Sequence, residues 1–343
     1  MTKKEGARVR IAVAGAGAIS QLVHLPILSE RRDVEVVALS DRDDLKAGAI
    51  GQRFGVGSIL TDEEITERED IDGVVVCAPT HRHEDLAIRA LTAGKQVLVE
   101  RPMALTAQGV TNILDAAKAA GTHVVADMAH RYRPDVSALR AFRAGGELGT
   151  ISAVHGSWLN RKVRHVRTTW RQRREQAGGG ALIDLGVQAL DLILWVLGYP
   201  EIESVNARIY GDDPEVEEEA HLDATTVDGT TIGLSTSWRY FGPDDVHDIR
   251  ILGSEGAAQL PPLSVYKQLG GRPMDVTPRQ PIPRGGEDLF TNAYRRQIDH
   301  FIRVVGGEAE ATPPTDQVAL MALLEAAYAS ARGTREGRGP GGS

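Results

Sequence analysis

Between Val9 and Val125 the chain passes through VRIAVAG, VEVVALS, DGVVVCAP, KQVLVE and THVVAD, short β-branched runs separated by stretches with helical spacing. Strands that alternate with helices need crossover connections, and crossovers build a parallel sheet. Apolar residues fill these runs without a polar residue at every second position. Each strand is therefore expected to be buried on both faces, with helices on both sides of the sheet. This part reads as a doubly wound α/β domain.

After Pro134 the rhythm changes. ISAVHGSWLN, IESVNARIY, AHLDATTVDG, TIGLSTSWRY and HDIRILGS come closer to period-two alternation, which suits an antiparallel sheet with one covered face. TVDGTTIG sets an Asp-Gly pair between two such runs, a hairpin signal. A strong helix, GGALIDLGVQALDLILWVLG, interrupts the strands, and two more are expected near Phe290–Val305 and Thr315–Ala331. The expected division is a doubly wound α/β domain over 1–127, an α+β domain over 128–332, and a disordered Gly-rich tail over 333–343.

A length of 343 residues with 42% hydrophobic and 25% charged composition suits two domains of ordinary size. Lys plus Arg total 39 against 47 Asp plus Glu, a formal charge of -8, so no general attraction to nucleic acid or anionic lipid is expected. The lone cysteine, Cys77, cannot form an internal disulfide, and MTKKEGARVR lacks the apolar stretch of a secretory signal. A reducing cytoplasm is the expected compartment. Ala181–Pro200 is the most apolar stretch, yet it carries Asp184 and Asp191 at helical spacing, which predicts a buried helix and no membrane anchor.

The turn Gly15-Ala16-Gly17-Ala18-Ile19-Ser20 follows the first strand and opens a helix. Glycines let such a backbone bend tightly and approach a pyrophosphate, whose charge then sits at the helix N-terminus. Ser20 stands where Gly or Ala is usual. The second strand leads into Asp41, about 20 residues past the turn, where a carboxylate would accept hydrogen bonds from a ribose. Asp41 repels a 2′-phosphate whereas Arg42 would accommodate one, so NAD is expected, with NADP the alternative.

With that turn, the segments C-A-P-T-H-R-H (Cys77–His83), V-L-V-E-R-P (Val97–Pro102), H-R-Y-R-P (His130–Pro134), G-E-L-G (Gly146–Gly149), G-G-G-A-L-I-D-L-G-V-Q (Gly178–Gln188) and the late P-T-D before E-A-A-Y-A-S-A appear in order. The chain resembles the glucose-fructose oxidoreductase / inositol dehydrogenase / rhizopine catabolism (Gfo/Idh/MocA) family over nearly its whole length. The resemblance implies a Rossmann domain followed by an open, largely antiparallel sheet used for dimer or tetramer contacts, with nicotinamide and substrate held between the two. It also implies hydride transfer between a sugar or polyol carbinol and NAD(P). By position, Gly15, Gly17, Ala18, Ile19, Asp41 and Arg42 would hold the cofactor. Pro79, Thr80 and His83 would line its nicotinamide end, and Glu100, Arg101 and Pro102 would occupy the family's Glu-Lys-Pro motif. Asp184 and Gln188 would take the places of its catalytic Asp and His.

Two departures change the chemistry. Oxidising an alcohol requires removal of the hydroxyl proton as hydride leaves, which a tuned lysine or histidine can do near neutral pH. Arginine stays protonated and an amide does not titrate, so neither Arg101 nor Gln188 is a general base. Arg101 can still donate hydrogen bonds to a developing alkoxide, which favours reduction of a carbonyl or imine. Asp184 would hold the guanidinium and Gln188 would orient the substrate oxygen. Arg131, Tyr132, His165, Trp170 and Tyr240 are expected to face the substrate, with Tyr132, His130, His165 or water as the proton source. The alternatives are an enzyme that keeps its NAD for net epimerisation, elimination or glycoside cleavage, and a non-catalytic cofactor-binding protein.

Other signals have plainer readings. His81 and His83 flank Arg82 without a third ligand at suitable spacing, so no metal is expected there. The basic run Arg161–Arg174 would attract an anionic substrate, or form a solvated loop or subunit contact. Glu215–Glu219 reads as a solvated start to a strand, and Trp238 with Tyr240 as one face of a sheet.

Overall fold

The computed structural model describes residues 8–161, 170–211, 215–280 and 286–336, in two compact units. One comprises Met1–Ala129 with Glu287–Val318, the other His130–Gly286 with Ala319–Ser343.

The first unit is a six-stranded parallel sheet of β1 (Val9–Ala14), β2 (Val34–Ser40), β3 (Ser58–Ile59), β4 (Gly73–Val76), β5 (Gln96–Val99) and β6 (Val124–Ala126), in the order β3-β2-β1-β4-β5-β6. The chain turns back at β1, where β2 and β4 flank it with Val13 beside Leu39 and Val75. All four residues of β4 are buried, as the unbroken apolar run implies. Local signals set the helix ends: Asp43 and Thr106 cap Asp44–Phe54 and Ala107–Ala120, and Gly55 and Gly121 end them in the left-handed region.

The helix Leu289–Val305 completes this unit. Its buried stripe of Tyr294, Ile298, Phe301 and Ile302 joins Val9, Ile11, Val13, Leu25 and Leu28 in one core. Gly73 admits the helix's end, since a Cβ there would lie 2.9 Å from Val305. The sequence reading drew one boundary at 127/128 and assigned this helix to the second domain. The structure instead brings the chain back over Glu287–Val318, because the parallel sheet needs a further apolar face to cover it.

The second unit is an eight-stranded sheet of β7 (Ile151–Arg161), β8 (Ile202–Tyr210), β9 (Glu219–Thr226), β10 (Thr231–Tyr240), β11 (Val246–Gly253), β12 (Gly256–Leu260), β13 (Ser264–Leu269) and β14 (Arg272–Asp275). The order is β14-β13-β12-β11-β7-β10-β9-β8, antiparallel except where β10 meets β7. The hairpin at Asp228-Gly229 forms as its sequence implies, with Thr225 opposite Thr231. Strands β12 to β14 lie beyond the runs recognised in the sequence.

The helix Val187–Leu197 is buried on nearly every side, and 89% of the most apolar window in the run Arg174–Leu197 lies inside the fold. The acidic run is not wholly solvated: Glu217 is 4% exposed, and its Oε1 accepts from the N–H groups of Gly180 and Leu182 and from the Tyr328 hydroxyl. Those donors lie at a helix N-terminus, where N–H groups lack partners within the helix. The final helix, Asp316–Glu336, runs into the expected tail; residues 337–343 lie outside the described part.

Candidate active site

Gly15 leaves β1 at φ +108°, and a Cβ there would come within 2.7 Å of the backbone of Cys77 and Ala78. Only glycine fits this crossing. Gly17 differs, because a Cβ on it would meet nothing closer than the Cys77 carbonyl oxygen at 3.9 Å. No crowding inside the fold requires that glycine, so the open side of the turn can admit a ligand's close approach. Ser20 is fully buried and donates to the Gly15 carbonyl oxygen. The departure at this position therefore ties the helix to the turn.

Asp41 Oδ2 accepts from Ala16 N and from Lys46 Nζ, both at 2.8 Å, and Oδ1 accepts from Asp43 N at 3.0 Å. Burial opposes its ionisation, but Lys46 and the two backbone N–H groups outweigh that and hold the carboxyl below its usual range. An ionised, acceptor-only group beside the turn suits ribose hydroxyls. Ala18 and Arg42 are exposed, and Ile19 and Pro79 partly so. Thr80 is 2% exposed, and its hydroxyl has no hydrogen-bond partner among the described residues. A buried orphan of this kind fits a partner supplied from outside the fold. The turn, the acid and the hydroxyl together fit a dinucleotide.

His83 is 1% exposed, with Nδ1 2.8 Å from the Pro102 carbonyl oxygen and Nε2 2.8 Å from that of Ala78. It braces the loops carrying Thr80 and Arg101. Burial pushes its imidazole below the usual histidine range.

Glu100 Oε2 accepts from Arg101 N at 3.1 Å, and Oε1 lies 2.8 Å from His24 Nε2. Asp127 Oδ2 is 3.2 Å from the same nitrogen. Burial opposes ionisation of Glu100, yet His24 and Arg101 bring its carboxyl down to about 2. Burial and the Glu100 charge push Asp127 up to about 7. Burial works against a charged His24, but Cys77, Asp127 and Glu100 hold its imidazole well above the usual range. The three ligand atoms lie within 4.8 Å of one another, a spacing a metal ion also accepts, but the imidazole Nε2 already serves Glu100. Arg101 is partly exposed, and its guanidinium donates to the Tyr294 oxygen. Sequence reading found Glu100 and Arg101 and missed His24, Asp127 and Tyr294, whose partners are distant along the chain.

In the second unit, Asp184 and Gln188 stand one helical turn apart. Asp184 Oδ1 accepts from Arg171 Nε and Oδ2 from Trp238 Nε1, each at 3.1 Å. The Arg171 guanidinium lies 4.5 Å from the Trp170 ring centre. Trp238, set aside in the sequence reading, is thus part of this cluster. Gln188 is 9% exposed. Arg131 donates to both Asp191 oxygens and to Tyr199 at 3.0 Å, so its guanidinium braces the long helix. Tyr132 is partly exposed in the turn Ala129–Tyr132, and Tyr240 lies over Gly242 at the end of β10. His165 and residues 162–169 of the basic run lie outside the described residues; Arg161 donates to Asp245 and to the Pro243 carbonyl oxygen.

Residues 9–128 match the model of the oxidoreductase family with an NAD-binding Rossmann fold, and residues 136–259 match the GFO/IDH/MocA C-terminal domain. A protein of Amycolatopsis mediterranei (strain S699), provisionally named as a UDP-kanosamine synthase oxidoreductase subunit, is 32% identical over 96% of this chain and 98% of its own length. The chain belongs to the Gfo/Idh/MocA oxidoreductase family. Another Gfo/Idh/MocA-like relative, D-glucoside 3-dehydrogenase of Escherichia coli (strain K12), is 28% identical over 95% of this chain and 97% of its own. The crystal structure of GenD2 from gentamicin A biosynthesis in complex with NAD shares 26% identity at a TM-score of 0.81, covering 98% of this chain and 97% of that one. This Gfo/Idh/MocA member is an NAD-binding oxidoreductase of a sugar-acting family.

Proposed function

We propose that the chain transfers hydride between NAD(H) and a carbinol or carbonyl carbon of a sugar or glycoside, and that it runs best as a reductase. The observation that carries this reading is Arg101, a permanent cation at the end of β5, whose main chain is fixed by the buried Glu100. Position 3 of a D-glucoside is the first candidate centre, from the name of the Escherichia coli relative.

The Gly15–Ile19 turn and Asp41 would hold the diphosphate and ribose, and Thr80 would meet the nicotinamide end. The bound cofactor supplies the hydride acceptor or donor. Arg101 donates hydrogen bonds to the oxygen on which charge develops during reduction, and as a permanent cation it withdraws no proton in the reverse direction. In the second unit, Gln188 would offer its amide to a substrate oxygen. Asp184, held by Arg171 and Trp238, would present a fixed acceptor to a substrate hydroxyl.

The test is steady-state kinetics in both directions on D-glucosides, polyols and their ketones, with wild type, Arg101→Lys and Arg101→Ala. Arg101→Ala is expected to lower kcat/KM for reduction by about 100-fold, the scale of losing one oxyanion donor. Arg101→Lys is expected to add an oxidation rate that rises through neutral pH. A wild type that already oxidises polyols with such a profile, unchanged in Arg101→Ala, would contradict the proposal.

A further inference from the structure

Behind Arg101, in the first unit, two carboxylates and an imidazole are packed away from water. His24 and Asp127 are 0% and 1% exposed and Glu100 is 7%. Cys77 and Ser20 stand on the glycine-turn side: the Cys77 thiol contacts both His24 and Ser20, and the Ser20 hydroxyl donates to Gly15. On the other side the Tyr294 ring meets the His24 ring edge-on at 5.9 Å, with its oxygen on Arg101. His83 also lies within electrostatic range of Glu100. Neutral His83, Tyr294 and Cys77 leave Arg101 as the sole further charge among these groups.

The His24 Nε2 proton is claimed by Glu100 at 2.8 Å, and among the described residues neither Asp127 oxygen has a hydrogen bond of good geometry. With His24 charged and both carboxylates ionised, the trio carries a net charge of minus one in a buried site, offset only in part by Arg101 beside Glu100. Binding one proton removes that charge, so the trio titrates as a unit with one labile proton.

We propose that the His24–Glu100–Asp127 cluster holds one exchangeable proton linked to the charge of bound nicotinamide, kept with NADH and released to solvent with NAD+. The inference rests on the functional reading above, which puts the nicotinamide ring at Arg101. When hydride leaves NADH with its two electrons, the ring becomes a cation; a positive neighbour favours the ionised cluster and so expels the proton. The cluster thus tunes relative binding of the two cofactor forms by pH, beside an Arg101 that cannot itself titrate.

The experiment is a binding titration of NAD+ and NADH by calorimetry from pH 6 to pH 8, on the full chain as wild type, Asp127→Asn and Asp299→Asn. Buffers of different ionisation enthalpy report proton release directly. In wild type, NAD+ affinity is expected to rise about threefold or more across this range, with proton release, while NADH affinity changes less than about twofold. Asp127→Asn should abolish the rise and the release, and Asp299→Asn, at an exposed carboxylate on the helix Leu289–Val305, should keep both. Independently of the variant's folding, 13C-carboxyl NMR of aspartate-labelled wild type should show one carboxyl titrating near neutral pH, shifted down by NAD+ and not by NADH. Tight binding of both forms with no differential pH dependence, or a rise kept in Asp127→Asn, overturns the proton site alone. Failure to bind either dinucleotide overturns the functional reading and this inference together.

Discussion

At the scale of the residue, the two glycines of the turn divide the labour. Gly15 is demanded by the fold, with a left-handed φ and the Cys77–Ala78 backbone in the way of any Cβ, whereas a Cβ on Gly17 would make only an ordinary contact with the Cys77 carbonyl oxygen. Gly15→Ala is accordingly expected to destabilise the chain by about 2–4 kcal/mol, combining backbone strain with overpacking. Gly17→Ala should melt within about 0.5 kcal/mol of wild type yet lose NADH affinity at least tenfold. Thermal unfolding beside an NADH fluorescence titration checks both; equal stability loss in the two variants would erase the distinction. The turn itself was legible because strand, glycines and distant acid agree in one local pattern. It could not reveal what Ser20 does, since a hydroxyl bonded to a carbonyl five residues earlier leaves no mark in composition. His24 was equally silent, because its acidic neighbours Glu100 and Asp127 come from the ends of β5 and β6.

Elements were legible wherever one period dominated. The unbroken apolar runs became parallel strands buried on both faces, and the alternating runs became a sheet such as β9 and β10 with buried residues at every second position. An amphipathic stripe tells that a helix is buried on one side but not against which partner, so Leu289–Val305 was assigned to the wrong unit. Glu217 failed for a related reason: an acidic run reads as solvent-facing until its partners, Gly180, Leu182 and Tyr328, are seen converging on it. Those contacts anchor the start of the helix that carries Asp184 and Gln188. Glu217→Ala would leave two buried N–H groups and a buried hydroxyl unpaired, an expected loss of about 3 kcal/mol. Chemical denaturation of the variant gives the number, and a change under about 1 kcal/mol would mean that water replaces the carboxylate there.

For the whole molecule, the decisive fact is that the first unit is not continuous in sequence. Parallel sheets need apolar cover on both faces, and here part of that cover arrives only after the second unit's sheet has been built. Phe301 is fully buried, and Tyr294, Ile298 and Ile302 are nearly so, in the same core as Val9, Ile11 and Val13. Removing even one such aromatic costs about 3–5 kcal/mol, a large share of the roughly 5–15 kcal/mol that holds a domain folded. A fragment ending at Ala129, though it carries the complete glycine turn, is therefore expected to melt without a cooperative transition and to bind a hydrophobic dye. A fusion of residues 8–129 to 287–318 through a flexible linker should recover a sharp transition. Circular dichroism melts of the two fragments decide the matter: a cooperative transition in the shorter one, at the temperature of the fused one, would show that the returning helix is packed on the unit without sustaining it.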